Sequence, residues 1–178
     1  MTENDVKTEP EIELRRNFVS AMRRLIATVT IITAGDASAR AGMVATAVMS
    51  VSADPPSLVV GINREATVWQ AVKDTGRFSV NLLATHHAPL VYPFSGQLQG
   101  EERFTLGEWH AHTSQTPYLA DAIVSLFCRV DSALDYGTHT LFVGAVDDIR
   151  LSAAANEPLL WRNGSFANAV PLDELLES

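Results

Sequence analysis

Residues Gly42 to Arg64 read GMVATAVMSVSADPPSLVVGINR, two runs of β-forming residues with Asp54-Pro55-Pro56 between them. The branched and apolar side chains predict strands, and the Asp-Pro-Pro interruption is turn chemistry. The first run also carries Thr46, Ser50 and Ser52 close together. A strand serving only as core has no need of three hydroxyls, so the pattern reads either as an ordinary strand turning them to solvent or as one that holds a polar ligand.

The flanking sequence extends the β pattern. Strands are predicted at Val29–Ala34, Ala41–Met49, Ser57–Ile62, Phe78–Leu83, Ile123–Leu134, Thr140–Leu151 and Pro158–Trp161, which suggests a barrel or a sandwich. Ahead of them, Leu14, Phe18, Met22, Leu25 and Ile26 recur at helical spacing and predict an amphipathic helix over Glu11–Ile26. Short helices are expected at Thr67–Lys73, capped by Thr67, and at His87–Phe94, preceded by Thr85. Gly35-Asp36 reads as a hairpin turn, and Gly137 divides the two longest strands. The polar stretch from Gly96 to Pro117 lacks periodicity and reads as a long loop. Residues 1–10 read as a flexible tail, 11–170 as one domain and 171–178 as a second tail.

With 178 residues, 47% of them hydrophobic, the chain can bury a core without disulfides. A formal charge of −8 argues against general binding to nucleic acid or to anionic membranes. One cysteine, an acidic start and no apolar run near the roughly 20 residues of a membrane helix lead to the expectation of a cytoplasmic protein.

Protein-borne nucleophiles find little support. Cys128 alternates with Val124, Leu126 and Val130, as a buried hydrophobe does. Glu108-Trp109-His110-Ala111-His112 and the His86-His87 pair could suggest zinc, but the spacing fits solvated loop histidines better, and no metal site is expected. Asn163-Gly164-Ser165 reads as a turn. Neither a nucleophile elbow, a P-loop, a dinucleotide fingerprint nor a paired-cysteine zinc pattern occurs. These absences direct attention to a cofactor carrying its own reactive centre, which needs only an apolar slot, backbone donors and a phosphate pocket.

The ordered series GMVATA, SVSADPPSLVV and Asn63-Arg64, followed by GRFSVNLLA at Gly76–Ala84, Arg103-Phe104, GTHTLFVGAV at Gly137–Val146 and PLLW at Pro158–Trp161, resembles the flavin reductase domain family from about Arg15 to Ala167. The resemblance implies a mainly β, FMN-binding split β-barrel with an N-terminal helix and short peripheral helices, assembled as a homodimer. It implies an NAD(P)H:flavin oxidoreductase that passes a hydride from NADH or NADPH to FAD or FMN and feeds reduced flavin to a partner monooxygenase. By motif, Ala45, Thr46 and Ala47 line the flavin ring, and Ser50, Val51 and Ser52 reach toward its ribityl chain and phosphate. Asn63, Arg64, Thr67, Asn81, Leu82 and Phe94 complete the pocket, Trp161 and Phe166 are candidates to cover it, and His139 is where nicotinamide docks. Three departures stand out. Glu65 replaces a small hydroxyl residue near the phosphate, Thr138 replaces the Asp that would orient His139, and Met43, Val44, Val48 and Met49 make the first motif bulky. A flavin-retaining oxidase, a non-catalytic flavin or haem binder, and a cofactor-free ligand barrel remain the alternatives.

Overall fold

The structure, a computed structural model, describes residues 8–36, 38–154 and 157–171. Residues 1–7 of the expected N-terminal tail and 172–178 of the C-terminal one lie outside the described residues. In chain order the elements are α1 (Glu9–Met22), β1 (Ala27–Thr28), β2 (Thr30–Asp36), β3 (Ala39–Ala45), β4 (Val48–Ala53), β5 (Pro56–Asn63), α2 (Thr67–Thr75) and β6 (Arg77–Leu82). Helical turns at Thr85–Leu90, Pro93–Gln97 and Gly100–Thr105 follow, then β7 (Trp109–Ala111), β8 (Pro117–Leu119), β9 (Val124–Tyr136), β10 (His139–Leu151), β11 (Leu160–Arg162) and β12 (Ser165–Ala167).

One antiparallel sheet of seven strands runs in the order β3-β2-β6-β9-β10-β5-β4. Its two edge strands, β3 and β4, are consecutive in the chain, and only Thr46 and Ala47 join them. A link of two residues reaches on the order of 10 Å, so the sheet must curl until its edges nearly meet. The result is a barrel left open at one seam, as the family resemblance implied, with Thr46-Ala47 crossing it. The expected single strand Ala41–Met49 is therefore two strands. Ala47 turns its carbonyl onto Gly61 N–H of β5 at 3.0 Å, a bond that fastens one side of the seam.

Alternation along β2 divides the core in two. Ile32 faces the barrel interior with Val60, Phe78 and Phe142, and α2 inserts Val68 and Val72 among them. Ile31 faces the opposite way, under the 85–119 segment, with Leu83, Phe94, Phe104 and Leu119. Val68 and Val72 are fully buried, and each contributes roughly 1.5–3 kcal/mol by leaving water. Gly76, at φ +65°, stops α2 in the left-handed conformation.

Several boundaries differ from those expected. α1 begins at Glu9 because Thr8 and Glu11 form a reciprocal capping box, with Thr8 N–H donating to Glu11 at 2.7 Å. Pro10 sits in the first turn, where it has no hydrogen bond to lose. For α2 the N-cap is Ala66 rather than Thr67, and no side chain caps it. The turn after β2 comes later than Gly35-Asp36, where Asp36 accepts from Ser38 and Ala39 N–H. Gly96–Pro117 is not an irregular loop. Phe94, Phe104 and Trp109 pack ring against ring at about 5 Å, and β7 pairs with β8. Asn163 and Gly164, at φ 50° and 84°, form the two-residue β11–β12 turn. Among the described residues no helix is long and apolar enough to cross a membrane.

Candidate active site

Two adjoining cavities open beside the seam. The larger, about 580 Å³, falls in the range of small-molecule sites. Met43, Val44 and Phe94 give it apolar walls, while Asn63, Thr67 and Arg103 bring polar groups. The smaller, about 210 Å³, is lined by Val29, Thr46, Trp161 and Phe166, and shares Val44 and Ser95 with the first. The close approach of Gly42 seats the Phe94 wall of the larger cavity, since a Cβ there would stand 2.7 Å from the Phe94 ring.

Arg103 governs the electrostatics of the larger cavity. It is only 9% exposed, and its guanidinium donates to Leu98 O at 2.8 Å, Gly42 O at 2.8 Å and Thr67 Oγ1 at 2.9 Å. Among the described residues no carboxylate pairs with it. A cation so buried is costly unless an anion meets it. The uncapped first turn of α2, bearing Thr67, adds the partial positive charge of its free amides at the same wall. This cavity end fits a phosphate. Arg103 was visible in the sequence as the only Lys or Arg of its loop, but its burial was not.

The residues proposed from the motif fall into distinct places. Asn63, Thr67 and Phe94 line the larger cavity, and Thr46 and Trp161 the smaller. Ala45 ends β3, and Ala47 is the second of the two residues that cross to β4. Trp161 and Phe166 are surface aromatics, 37% and 45% exposed, with rings 5.3 Å apart, and are not core. Ser50, Val51 and Ser52 lie on β4, which runs away from Asn63, with Ser50 opposite Leu58. At ~3.3 Å per residue that is ~17 Å from Asn63 along the sheet, and none of the three lines either cavity. Ser52 instead bonds Asp54 N–H and O within the Asp-Pro-Pro turn.

Arg64 is engaged elsewhere too. Its guanidinium donates to Gly137 O and lies 3.7 Å from Asp135, so it does not offset Glu65, which is exposed at the cavity rim. Asn81 is fully buried, and its amide bonds Ile31 O, Thr33, Ser79, Leu119 N–H and Ser125. With all its polar capacity used inside the protein it is a core pin, and Leu82 beside it pairs with Thr30 and Val124 in the sheet. His139 opens β10 directly opposite Asn63, which puts both side chains on one sheet face. Thr138 Oγ1 lies 2.9 Å from His139 Nδ1, so the Thr that replaces an expected Asp still orients the ring.

The histidines outside this region meet partners within the protein. His110 pairs with Glu108, whereas His112 stacks on Phe127 at 3.8 Å and reaches Asp148 at 3.0 Å. His86, His87 and Asp121 converge within 4.8 Å. Nδ1 of buried His87, however, accepts Ala84 N–H at 3.0 Å, so its proton sits on Nε2, 3.1 Å from Asp121 but poorly aligned with it. A metal needs that Nε2 lone pair, with the proton on the other nitrogen, and this arrangement is the reverse. Burial pushes the Cys128 thiol up to about 12, which leaves it inert.

His87 predicts an acid response. Burial lowers its pKa, outweighing the opposing contact with Asp121. Unfolded it titrates near its ordinary 6.5, so its contribution to stability is full above that pH and is lost as pH falls toward the folded value. Urea midpoints of the wild type should begin to fall near pH 6.5. Those of His87→Gln should stay level until the carboxylates held low by Arg40 and His112, Glu101 and Asp148, begin to protonate.

Comparison with known proteins follows the same line. Residues 22–169 match the family model described as flavin reductase like domain. The chain is 41% identical over 150 residues to FMN reductase (NADH) RutF of Agrobacterium fabrum, covering 84% of this chain and 86% of the relative. It is also 41% identical over 159 residues to the reductase component of the FADH(2)-dependent resorcinol hydroxylase of a Rhizobium species, covering 88% of each. Among solved structures, flavin reductase PheA2 in its native state superposes with a TM-score of 0.78 at 30% identity, over 88% of this chain and 98% of that one.

Proposed function

This chain belongs to the flavin reductase like domain family, and we propose that it is an NADH-dependent flavin reductase supplying reduced FMN or FAD to a partner flavin-dependent monooxygenase. The observation that carries the reading to this chain's own residues is the buried Arg103, without a carboxylate partner among the described residues, at the end of an apolar cleft beside the seam. NADH as donor is consistent with the Agrobacterium relative's name, and the monooxygenase partner with the Rhizobium relative's.

Arg103, Thr67 and the first turn of α2 hold the flavin phosphate. Met43, Val44 and Phe94 line the path from it, and Thr46 and Ala47 offer backbone groups to the ring. When bound, flavin supplies the two-electron acceptor for the hydride of the reduced nicotinamide. His139, steadied by Thr138, orients the nicotinamide from the neighbouring strand, and Trp161 and Phe166 keep water from the ring. Purified protein should oxidise NADH only when FMN or FAD is added, read at the nicotinamide absorbance band. No flavin-dependent oxidation with either NADH or NADPH would overturn the reading.

The active unit is a homodimer. Supporting this, the outer face of β9-β10-β5-β4 presents Met49, Leu134, Tyr136 and Leu141, with Leu134 and Tyr136 63% and 80% exposed. Apolar side chains so concentrated on one face mark an interaction surface. His139 and Asn63 share this outer face with Leu141, so a second copy seated there closes over the reactants. Sedimentation should give a dimer for the wild type and a monomer with at least about tenfold less activity for Leu134→Asp, since a buried unpaired charge costs several kcal/mol. A monomeric, fully active wild type would contradict the assembly.

A further inference from the structure

In the short link from β5 into α2, Asn63, Glu65, Ala66 and Thr67 line the larger cavity, and Arg64 among them does not. The link has a fixed shape. Asn63 Oδ1 accepts Glu65 N–H at 3.0 Å, and Asn63 O accepts Ala66 N–H at 3.0 Å, an Asx turn that leads into the first turn of the helix. With its neighbours at the cavity wall, Arg64 reaches instead onto the turn between β9 and β10.

There it meets consecutive residues. Arg64 N–H donates to Thr138 O at 3.0 Å, while its guanidinium donates to Gly137 O and lies 3.7 Å from Asp135. A further tie joins α2 to the same hairpin: Trp69 donates its indole N–H to Thr140 Oγ1 at 2.8 Å, and the Thr140 hydroxyl donates to Asp135. These bonds matter because residues 131–139 are all exposed, so the end of the hairpin has no buried side chain to anchor it in the core. The exposed pair with Asp135 adds little. The guanidinium on the Gly137 carbonyl is charge-assisted and is the stronger contact.

His139 follows this turn directly. It lies opposite Asn63, and its Nδ1 is 2.9 Å from Thr138 Oγ1. Thr138 therefore orients the ring through its side chain while Arg64 holds it by its carbonyl. We propose that Arg64 is a positioning residue for His139: by fixing Gly137 and Thr138 it sets the imidazole that meets the nicotinamide, and it does so from the same link that walls the flavin phosphate. This rests on the flavin reductase reading and deepens it, since it names what aligns the donor in that site.

The test compares Arg64→Met, Arg64→Lys and His139→Ala in the full chain. The Arg64 side chain is 43% exposed, so its replacement leaves the core intact. For Arg64→Met, kcat/KM for NADH should fall about tenfold, as expected of a displaced orienting group, with the FMN dissociation constant kept within about twofold. Arg64→Lys retains one charged donor for Gly137 O and should lose no more than about threefold. Adding Arg64→Met to His139→Ala should cost no more than about twofold beyond His139→Ala alone, because both act through one imidazole. Losses that multiply in the double variant would overturn the proposal. So would weakened binding of FMN but not of riboflavin in Arg64→Met, which would put Arg64 on the phosphate. A second readout needs no turnover. The imidazole NMR signal of His139, assigned by its absence in His139→Ala, should shift or broaden in Arg64→Met while the four other histidines of the chain keep theirs. An unmoved His139 signal would overturn the proposal. A wild type without flavin-dependent oxidation would remove the functional reading, whereas the imidazole signal would still report whether Arg64 holds the turn.

Discussion

Arg103→Met should weaken FMN binding about 10- to 100-fold and leave riboflavin binding within about twofold. A charge-assisted hydrogen bond to phosphate is worth roughly 1.5–3 kcal/mol, and each 1.4 kcal/mol is a factor of ten. Riboflavin has the same ring without the phosphate, so the ratio of the two affinities isolates the electrostatic role from any general loosening of the cleft. Loosening is also expected. The guanidinium satisfies Leu98 O and Gly42 O, and removing it strands two acceptors at about 1–3 kcal/mol each. Fluorescence titration with the two flavins checks the first effect and thermal unfolding the second. Equal loss for FMN and riboflavin would show that Arg103 only braces the wall.

Asn81→Ala should have the opposite signature. It strands Leu119 N–H and breaks bonds that tie β2, β8 and β9 to β6, for a cost of about 3–5 kcal/mol. At 2–4 °C per kcal/mol for a chain of this size, the unfolding midpoint should drop by about 10 °C. FMN affinity of the folded fraction, measured well below that midpoint, should stay within about twofold. A variant of native stability with impaired flavin binding would return Asn81 to the ligand site. Arg103 and Asn81 thus separate a polar group completed by a ligand from one completed by the protein.

The residues show how far the sequence could be read. Local chemistry made the β class, the helix α1, the α2 segment and the Asn163-Gly164 turn visible, since strand formers, helical spacing and turn residues act over a few positions. The Thr8–Glu11 capping box was equally local, although it begins within the stretch 1–10 that read as a tail. The break at Thr46-Ala47 was not visible, because nothing in ATAVM interrupts a strand. It follows from the placing of β3 and β4 at opposite edges of one curled sheet. The stretch Gly96–Pro117 lacked any period, and its order comes from Phe104 and Trp109 packing on Phe94.

By itself, then, the sequence determined a mainly β domain, a family motif centred on Thr46 and a short set of polar residues embedded among apolar ones. The tertiary structure decided which of those polar residues remain available. Asn81 meets partners at Ile31, Leu119 and Ser125, and Arg64 meets Asp135 and Gly137, whereas Arg103 finds carbonyls and a hydroxyl but no counter-charge among the described residues. The physical reason is distance along the chain. A buried polar group must be satisfied, and its partners lie tens of residues away, brought near only by sheet register and by the curl that closes the barrel to its seam.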